Sequence, residues 1–508
     1  MMGKSFRFKW IGAAAALAVT AASMTHASAA ELRFGMADDP DALDSITNRT
    51  TSGTQVLTAL CDRLLTINAD GSVTPDMAKS WAWSEDKLTL TLELTPGLKF
   101  HDGTDVDAEA VKFHIERAKT QKDSQRAEDA TSVISVEAKG PTTVVVKLSQ
   151  PDAVLLTKLG ERLGMVMSPT AVKAGGENFA RNPVCTGPYK FVSRAAQDKI
   201  VLEKYANHRN ASAYAFDRVT FKILPDDSVR LANVRAGSVD LIERLDPSAV
   251  ASVEQEATLK VIPIDTFNNQ TVVINFDAKN KPPLSTNTKV REAFELALDR
   301  QAIVDVVWAG RYVAGNQFVP PSSPYYNKDI PIPARDVTKA KKILQEQGFT
   351  QPVRVELMAS NRPLSVRVVE VMQAMLAEAG FDAKIKVVEH ATALKVTAAG
   401  DFETWSPIGP QFANDPDALS FLTLHSTGGR NLSRYNNPEV DKLLLASRAE
   451  LDPAKRAEVF HKIMALVTAD RPVIYLYHLR PLYAVSAKLS GFKTTVDGFI
   501  LFHGMKLN

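Results

Sequence analysis

The most legible pattern along the chain is Leu88, Leu90, Leu92 and Leu94 alternating with threonine and glutamate, a period of two that predicts a half-buried strand. Pro96-Gly97 turns the chain after it, residues 99–103 form a second turn, and helical spacing runs over 106–118. The runs 132–138 and 143–148, joined through Lys139-Gly140-Pro141, predict a hairpin. A strand is expected at 31–37, broken by Asp38-Asp39-Pro40. Further strands are expected from 185, at 200–204 and at 219–224. A helix over 227–237 runs directly into an apolar strand at 238–242, a crossover of the α/β kind. The alternation then repeats. Strands at 270–276, 353–359, 383–388 and 473–477 are interleaved with helices at 290–299, 337–347, 364–379, 439–449 and 453–469. The chain therefore reads as α/β throughout, without a repeat of fixed period.

One long stretch, 402–445, interrupts the alternation. Pro407, Gly409, Pro410 and Pro416 exclude a helix or a central strand from its first half, and the whole stretch is read as helix-free. It passes through Thr427-Gly428-Gly429 and ends at Asn437-Pro438-Glu439, a helix start with Asn437 as N-cap. A structured loop of this length inside a compact protein is usually functional, which predicts a pocket wall, with an ordinary surface excursion between two elements as the alternative. A second polar turn, Arg49 to Thr54, precedes the apolar helix expected at 56–65. Its small donors and acceptors suit a ligand-facing turn and a helix start equally.

Composition adds boundaries to this picture. Lys4, Arg7 and Lys9 precede an apolar run from about 10 to 22 and the small residues Ala27-Ser28-Ala29-Ala30, the pattern of a cleavable secretory signal peptide over 1–30. The run is short for a bilayer span, and no cysteine lies at the cleavage site, so a soluble, non-lipidated protein is expected. Losing three cations and no anions takes the formal charge from +2 to −1, and no basic run offers a polyanion its counterion-release term, so no nucleic acid partner is expected. No second membrane-length apolar run follows. Cys61 and Cys185 are the two cysteines; an exported protein favours one disulfide, with two buried thiols as the alternative. His101 and His114 read as turn and surface residues without a partner at metal spacing, and no cofactor is expected. The sequence has no GxSxG, no HExxH and no Cys-His arrangement in an activating context, which argues against an enzyme.

Five segments together resemble one family: MAKSW at 77–81, LKFHDGTDVDAEAVKF at 98–113, CTGPYKF at 185–191, VREAFELALDRQAIV at 290–304, and the ending from 437 to 485. They are similar to the extracellular solute-binding proteins of ABC importers, in the class of the dipeptide- and oligopeptide-binding proteins (family 5). The resemblance implies a two-lobed, hinged periplasmic-binding-protein fold with an extra subdomain inserted in the first lobe. Carried onto this chain, the core lobe takes 31–70, 182–268 and 485–508, the insert 71–181 and the second lobe 269–484. It also implies a periplasmic monomer that captures a short peptide or a peptide-like, carboxylate-bearing solute such as an opine or glutathione-like compound and delivers it to an inner-membrane permease complex.

The resemblance carries residues with it. Arg362, in Arg362-Pro363-Leu364, stands where relatives hold the ligand carboxylate. Arginine suits a bidentate carboxylate contact. Trp405, followed by Ser406, corresponds to a pocket tryptophan, but Ile408 stands where relatives place the aspartate that pairs with the ligand amine. Asp415 or Asp417 is the expected substitute, with helix capping as the alternative for both. Thr51, Ser52, Gly53 and Thr54 map to the family's N-terminal pocket turn, and Tyr435 with Arg434 lies at the far end of the long loop. Two other functions are weighed: a secreted hydrolase of peptide-like compounds, and a nickel- or metal-chelate-binding member of the family, for which only the scattered His461 and His478 speak.

Overall fold

The computed structural model describes residues 1–3, 30–68, 72–266, 268–407, 415–495 and 497–508. Residues 4–29 of the expected signal peptide, and Ile408, lie outside the described residues. Two mixed sheets account for most of the strands, and their order follows the chain. The first lobe contains β1 (Glu31–Met36), β2 (Tyr189–Ala195), β3 (Lys199–Lys204), β4 (Arg218–Ile223), β5 (Leu241–Ile242) and β6 (Leu259–Pro263). The chain then crosses to the second lobe for β7 (Asn269–Ile274), β8 (Val313–Ala314), β9 (Val353–Ser360), β10 (Phe381–Val388), β11 (Thr404–Trp405) and β12 (Val473–His478). It crosses back for β13 (Leu482–Ser486).

The seven-stranded sheet has the order β6-β13-β5-β1-β4-β3-β2 and the six-stranded sheet β8-β12-β7-β11-β9-β10. The two-lobed α/β fold expected from the sequence is the one found. The second crossing comes slightly earlier than the expected boundary at 485. Because β13 pairs with β5 and β6 from Leu482 on, the crossing is confined to 479–481.

Burial explains why these runs are strands. In β1, Leu32, Phe34 and Met36 are fully buried. In the second lobe the two faces of one strand feed two cores: Val272 and Ile274 pack with Phe294 and Leu357 on one side, while Val273 packs with Met358, Trp405 and Phe460 on the other. Helices cover both faces, so the strands are apolar on both, as sheets with parallel pairs require.

Between β1 and β2 the chain forms a separate four-stranded antiparallel sheet, in the region expected to be the insert, in which Thr89–Leu94 and Thr143–Leu148 pair centrally. Its core holds Leu90, Leu92, Leu94, Val144 and Val146. His114 is fully buried here, not at the surface as the sequence suggested. Burial lowers its pKa to about 3, so it packs as a neutral ring.

The neck of this insert is tied. Cys61, at the exit from helix α1 (Thr51–Leu60), is bonded to Cys185, with Cα atoms 5.2 Å apart across a separation of 124 residues. Gly187 explains the rest of the Cys-Thr-Gly-Pro run: its amide donates to the Leu60 carbonyl at 2.8 Å, and a Cβ there would sit 2.6 Å from the Cys61 nitrogen. Only a glycine lets the returning strand pass that close.

Candidate functional site

Strand direction decides which edges of the two sheets face each other. β5 and β6 are both antiparallel to β13, so β6 runs in the same direction as β5, and as β1 and β4, which are parallel to it. The chain leaves the first lobe at the carboxyl end of β6, so the second lobe lies off the carboxyl edge of this parallel set. β7 enters the second lobe by its amino end. β9 is antiparallel in sense to β7, because β11 is antiparallel to β7 and parallel to β9, and β10 is parallel to β9. The carboxyl ends of β9, β10 and β11 therefore point back at the first lobe. The cleft is bounded on both sides by loops after parallel strands, the place where open α/β sheets bind ligands.

Two short segments carry the chain across. The Ile264 amide donates to Pro481 O at 3.0 Å, Leu479 N donates to Asn268 O at 2.8 Å, and the Thr266 hydroxyl donates to Leu479 O at 3.0 Å. Arg480 pairs with Asp265 at 2.6 Å. Away from this hinge, Arg311 of the second lobe forms a two-pronged pair with Glu254 of the first at 2.8 and 2.9 Å, and Ala153 N of the insert donates to Arg448 O at 2.7 Å.

On the second-lobe edge, Arg362 follows β9 and is the N-cap position of helix α2 (Pro363–Glu378). Its side chain is exposed and has no ion pair or hydrogen bond among the described residues. Pro363 at the first helical position and an uncapped N-terminus leave free amide donors beside that guanidinium.

Trp405 and Ser406 sit at the carboxyl end of β11, on the same edge, but both turn inward. The indole is 3 % exposed and packs in the second-lobe core, and the Ser406 hydroxyl accepts from Gln270 Nε2 at 2.8 Å and donates to Thr271 O at 3.1 Å. Just before β11, burial pushes Glu403 up to about 7, partly countered by the Glu356 amide that donates to it at 2.9 Å.

The long stretch after Trp405 is not helix-free. A helix, α3 (Pro416–Leu424), occupies its middle, and β11 is a central strand that ends before Pro407. Pro416 starts this helix, since the first helical position needs no N–H. Asp415 caps it, accepting from Asp417 N at 2.9 Å.

Both aspartates are also committed to arginines. Asp415 and Arg456 (6 % and 5 % exposed side chains) form two hydrogen bonds of 2.5 and 2.6 Å, and Asp417 receives Arg448 at 2.8 and 2.9 Å. Burial alone would lower the Arg456 pKa, but the charge of Asp415 and its hydrogen bonds outweigh this and raise it. Arg448 also lies 3.4 Å over the Phe421 ring. Tyr435 is buried, donates its hydroxyl to Asp470 at 2.6 Å and meets Phe276 edge-on. Arg434 donates to Ala398 O at 3.0 Å.

On the first-lobe edge, the expected turn is the first turn of α1, capped by Thr50, so the helix begins five residues earlier than its apolar run suggested. Ser52, Gly53 and Thr54 face inward. Thr54 donates to Asn48 at 2.9 Å, and a Cβ on Gly53 would strike the Asn48 side chain at 1.9 Å. Thr51 alone of the four reaches the edge, where its hydroxyl accepts from Arg244 at 3.3 Å.

Arg244 and Asp38 were not singled out in the sequence. They follow β5 and β1 and pair with each other at 2.8 Å, with side chains 43 % and 55 % exposed. The only signal was positional, a charged residue directly after each parallel strand, and it becomes readable once strand direction is known. Metal ligands are not gathered anywhere among the described residues: no group of three His, Cys, Asp or Glu is arranged to hold an ion. His478 is buried at the hinge end of β12, where burial lowers its pKa to about 3.

Comparison with known proteins agrees with this geometry. Residues 72–431 match the model of the bacterial extracellular solute-binding proteins, family 5. The chain is 28 % identical over 437 residues to the glutathione-binding protein GsiB of Escherichia coli, covering 82 % of each chain. Among solved structures it is similar to the murein tripeptide-binding protein MppA in its unliganded open form, with TM-score 0.83 at 20 % identity over 95 % of this chain and 98 % of that one. It is also similar to the periplasmic binding protein DppA of Helicobacter pylori in complex with the peptide STSA, with TM-score 0.77 at 24 % identity over 94 % and 98 %.

Proposed function

Because the chain belongs to the bacterial extracellular solute-binding proteins of family 5, we propose that it captures a short peptide or peptide-like solute bearing a carboxylate and hands it to the membrane permease of an ABC importer. The observation that carries this reading is Arg362, exposed and without a side-chain partner among the described residues, which follows β9 at the uncapped N-terminus of a 16-residue helix, on the edge turned toward the other lobe. Arginine and helix amides together suit a carboxylate. Trp405 and Ser406 back this edge from behind, and Thr51 contributes from the opposite side. A ligand touching both edges binds the closed form better than the open one and shifts the population toward closure by that difference. The closed form is then the one the permease reads.

The remaining parts of the reading follow from the same role. Residues 1–30 act as a cleaved export signal without lipid attachment, and the mature protein works as a periplasmic monomer. The core lobe combines 31–70 and 182–268 with the C-terminal strands, and the insert spans 71–181. The protein releases its solute unchanged and performs no chemistry on it. Incubating the mature protein with carboxylate-bearing di- and tripeptides, with thermal shift and mass spectrometry as readouts, tests the role. A ligand at a hundredfold its Kd stabilises by about 2.7 kcal/mol and is recovered intact. Catalytic turnover of the peptides would overturn the reading.

A further inference from the structure

The Asp38–Arg244 pair lies on the cleft edge opposite Arg362 and is built with more care than a surface ion pair needs. Arg230, fully buried, gathers the loops after β4 and β5 by donating to Leu224 O at 2.7 Å, Glu243 O at 3.1 Å and Arg244 O at 3.2 Å. Buried Glu243 fixes the loop after β1 by accepting from Ala37 N at 2.8 Å. Arg244 itself holds a left-handed backbone (φ 52°), a conformation that costs a non-glycine residue of order 1 kcal/mol and is kept where the surroundings enforce it. The outcome is one carboxylate and one guanidinium held side by side, half exposed, with Thr51 bracing the guanidinium. The neighbouring acid Asp39 is engaged by Arg194 at 2.8 Å, and Asp415 and Asp417 across the cleft are engaged by Arg456 and Arg448. Asp38 has no partner but Arg244 among the described residues.

An adjacent acid and base of this kind match a group that carries an ammonium and a carboxylate on one carbon. We infer that Asp38 and Arg244 read a free α-amino-acid head, Asp38 taking its ammonium and Arg244 its carboxylate, while Arg362 takes a second carboxylate at the far end of the solute. An ordinary peptide does not satisfy this pair, because the α-carboxyl of its first residue is consumed in the peptide bond. The preferred solute class is then a peptide-like acid whose first residue is joined through its side chain, as in γ-glutamyl peptides. This inference rests on the receptor reading above and narrows it.

Isothermal titration of the mature protein with reduced glutathione and with its α-linked isomer Glu-Cys-Gly separates the two, since the probes share composition and net charge. The γ-linked isomer is expected to bind about tenfold or more tightly, one charge-assisted contact being about 1.4 kcal/mol or more. Arg244→Gly, which suits the left-handed backbone, and Arg244→Asn as a second variant are expected to bring the isomers within about twofold of each other. Arg362→Ala is expected to weaken both. Equal binding of the isomers by the native protein, a γ-preference that survives both Arg244 variants, or a failure to bind either isomer overturns the inference. Arg362-dependent binding of α-linked peptides alone would leave the receptor reading standing and remove only this one.

Discussion

Asp415 separates a ligand contact from a structural one. Asp415→Ala removes the cap on α3 and strands Arg456, whose side chain is 5 % exposed and among the described residues keeps Ser447 O at 2.9 Å and Tyr325 Oη at 3.3 Å as hydrogen-bond acceptors. Breaking a buried ion pair from one side costs about 3–5 kcal/mol, and loss of a cap about 1 kcal/mol of the same order. For a lobe of this size each kcal/mol moves Tm by roughly 2–4 °C, so a fall of about 8–24 °C is expected by calorimetry. The double variant Asp415→Ala/Arg456→Met should recover much of it, because no buried charge is then left uncompensated. Solute affinity measured below the transition should stay within about twofold of native. An Asp415→Ala protein with native Tm and lost affinity would show that the carboxylate serves the solute and that the pairing with Arg456 is incidental.

Arg362→Ala should do the reverse: stability within about 0.5 kcal/mol of native, since the side chain is exposed and has no partner among the described residues, and carboxylate affinity weaker by about 1.5–3 kcal/mol in a titration. Replacing Cys61 and Cys185 by serine should cost about 5 kcal/mol in the chain-entropy model for the 124-residue separation, read by denaturant unfolding, and the native protein should show no reactive thiol when denatured without reductant. Glu403 binds its proton more tightly folded, near 7, than unfolded, near 4.5, so the native state loses stability as pH rises through that window. Glu403→Gln should therefore raise Tm more at pH 8 than at pH 5, and an equal rise at both would refute the assignment.

What could be read in advance depended on whether the signal was local. The hairpin at Val133–Lys139 and Thr143–Leu148 and the helices Pro438–Ala449 and Pro453–Asp470 fall within a residue or two of expectation, because alternation and capping are written in consecutive residues. Helix α3 was hidden because Pro416 reads as a breaker unless its place at the first turn is known. The short helix His390–Ala398 and the helix Arg300–Trp308 carry weaker local signals than the elements on either side of them. The inward turn of Ser52, Gly53 and Thr54, and the arginines that claim Asp415 and Asp417, depend on partners far along the chain: the sequence separation is 31 from Asp417 to Arg448 and 41 from Asp415 to Arg456. Arg244 and Asp38 belong to the same class, since only the parallel pairing of β1 with β5 brings them to one edge.

Closure of the two lobes over a carboxylate-bearing solute is tested most directly by small-angle scattering during a solute titration. With a peptide-like acid identified by thermal shift, the radius of gyration should fall in step with occupancy, and Arg362→Ala should need correspondingly more solute for the same change. Saturating, reversible binding with no compaction, or compaction that ignores Arg362, would contradict it.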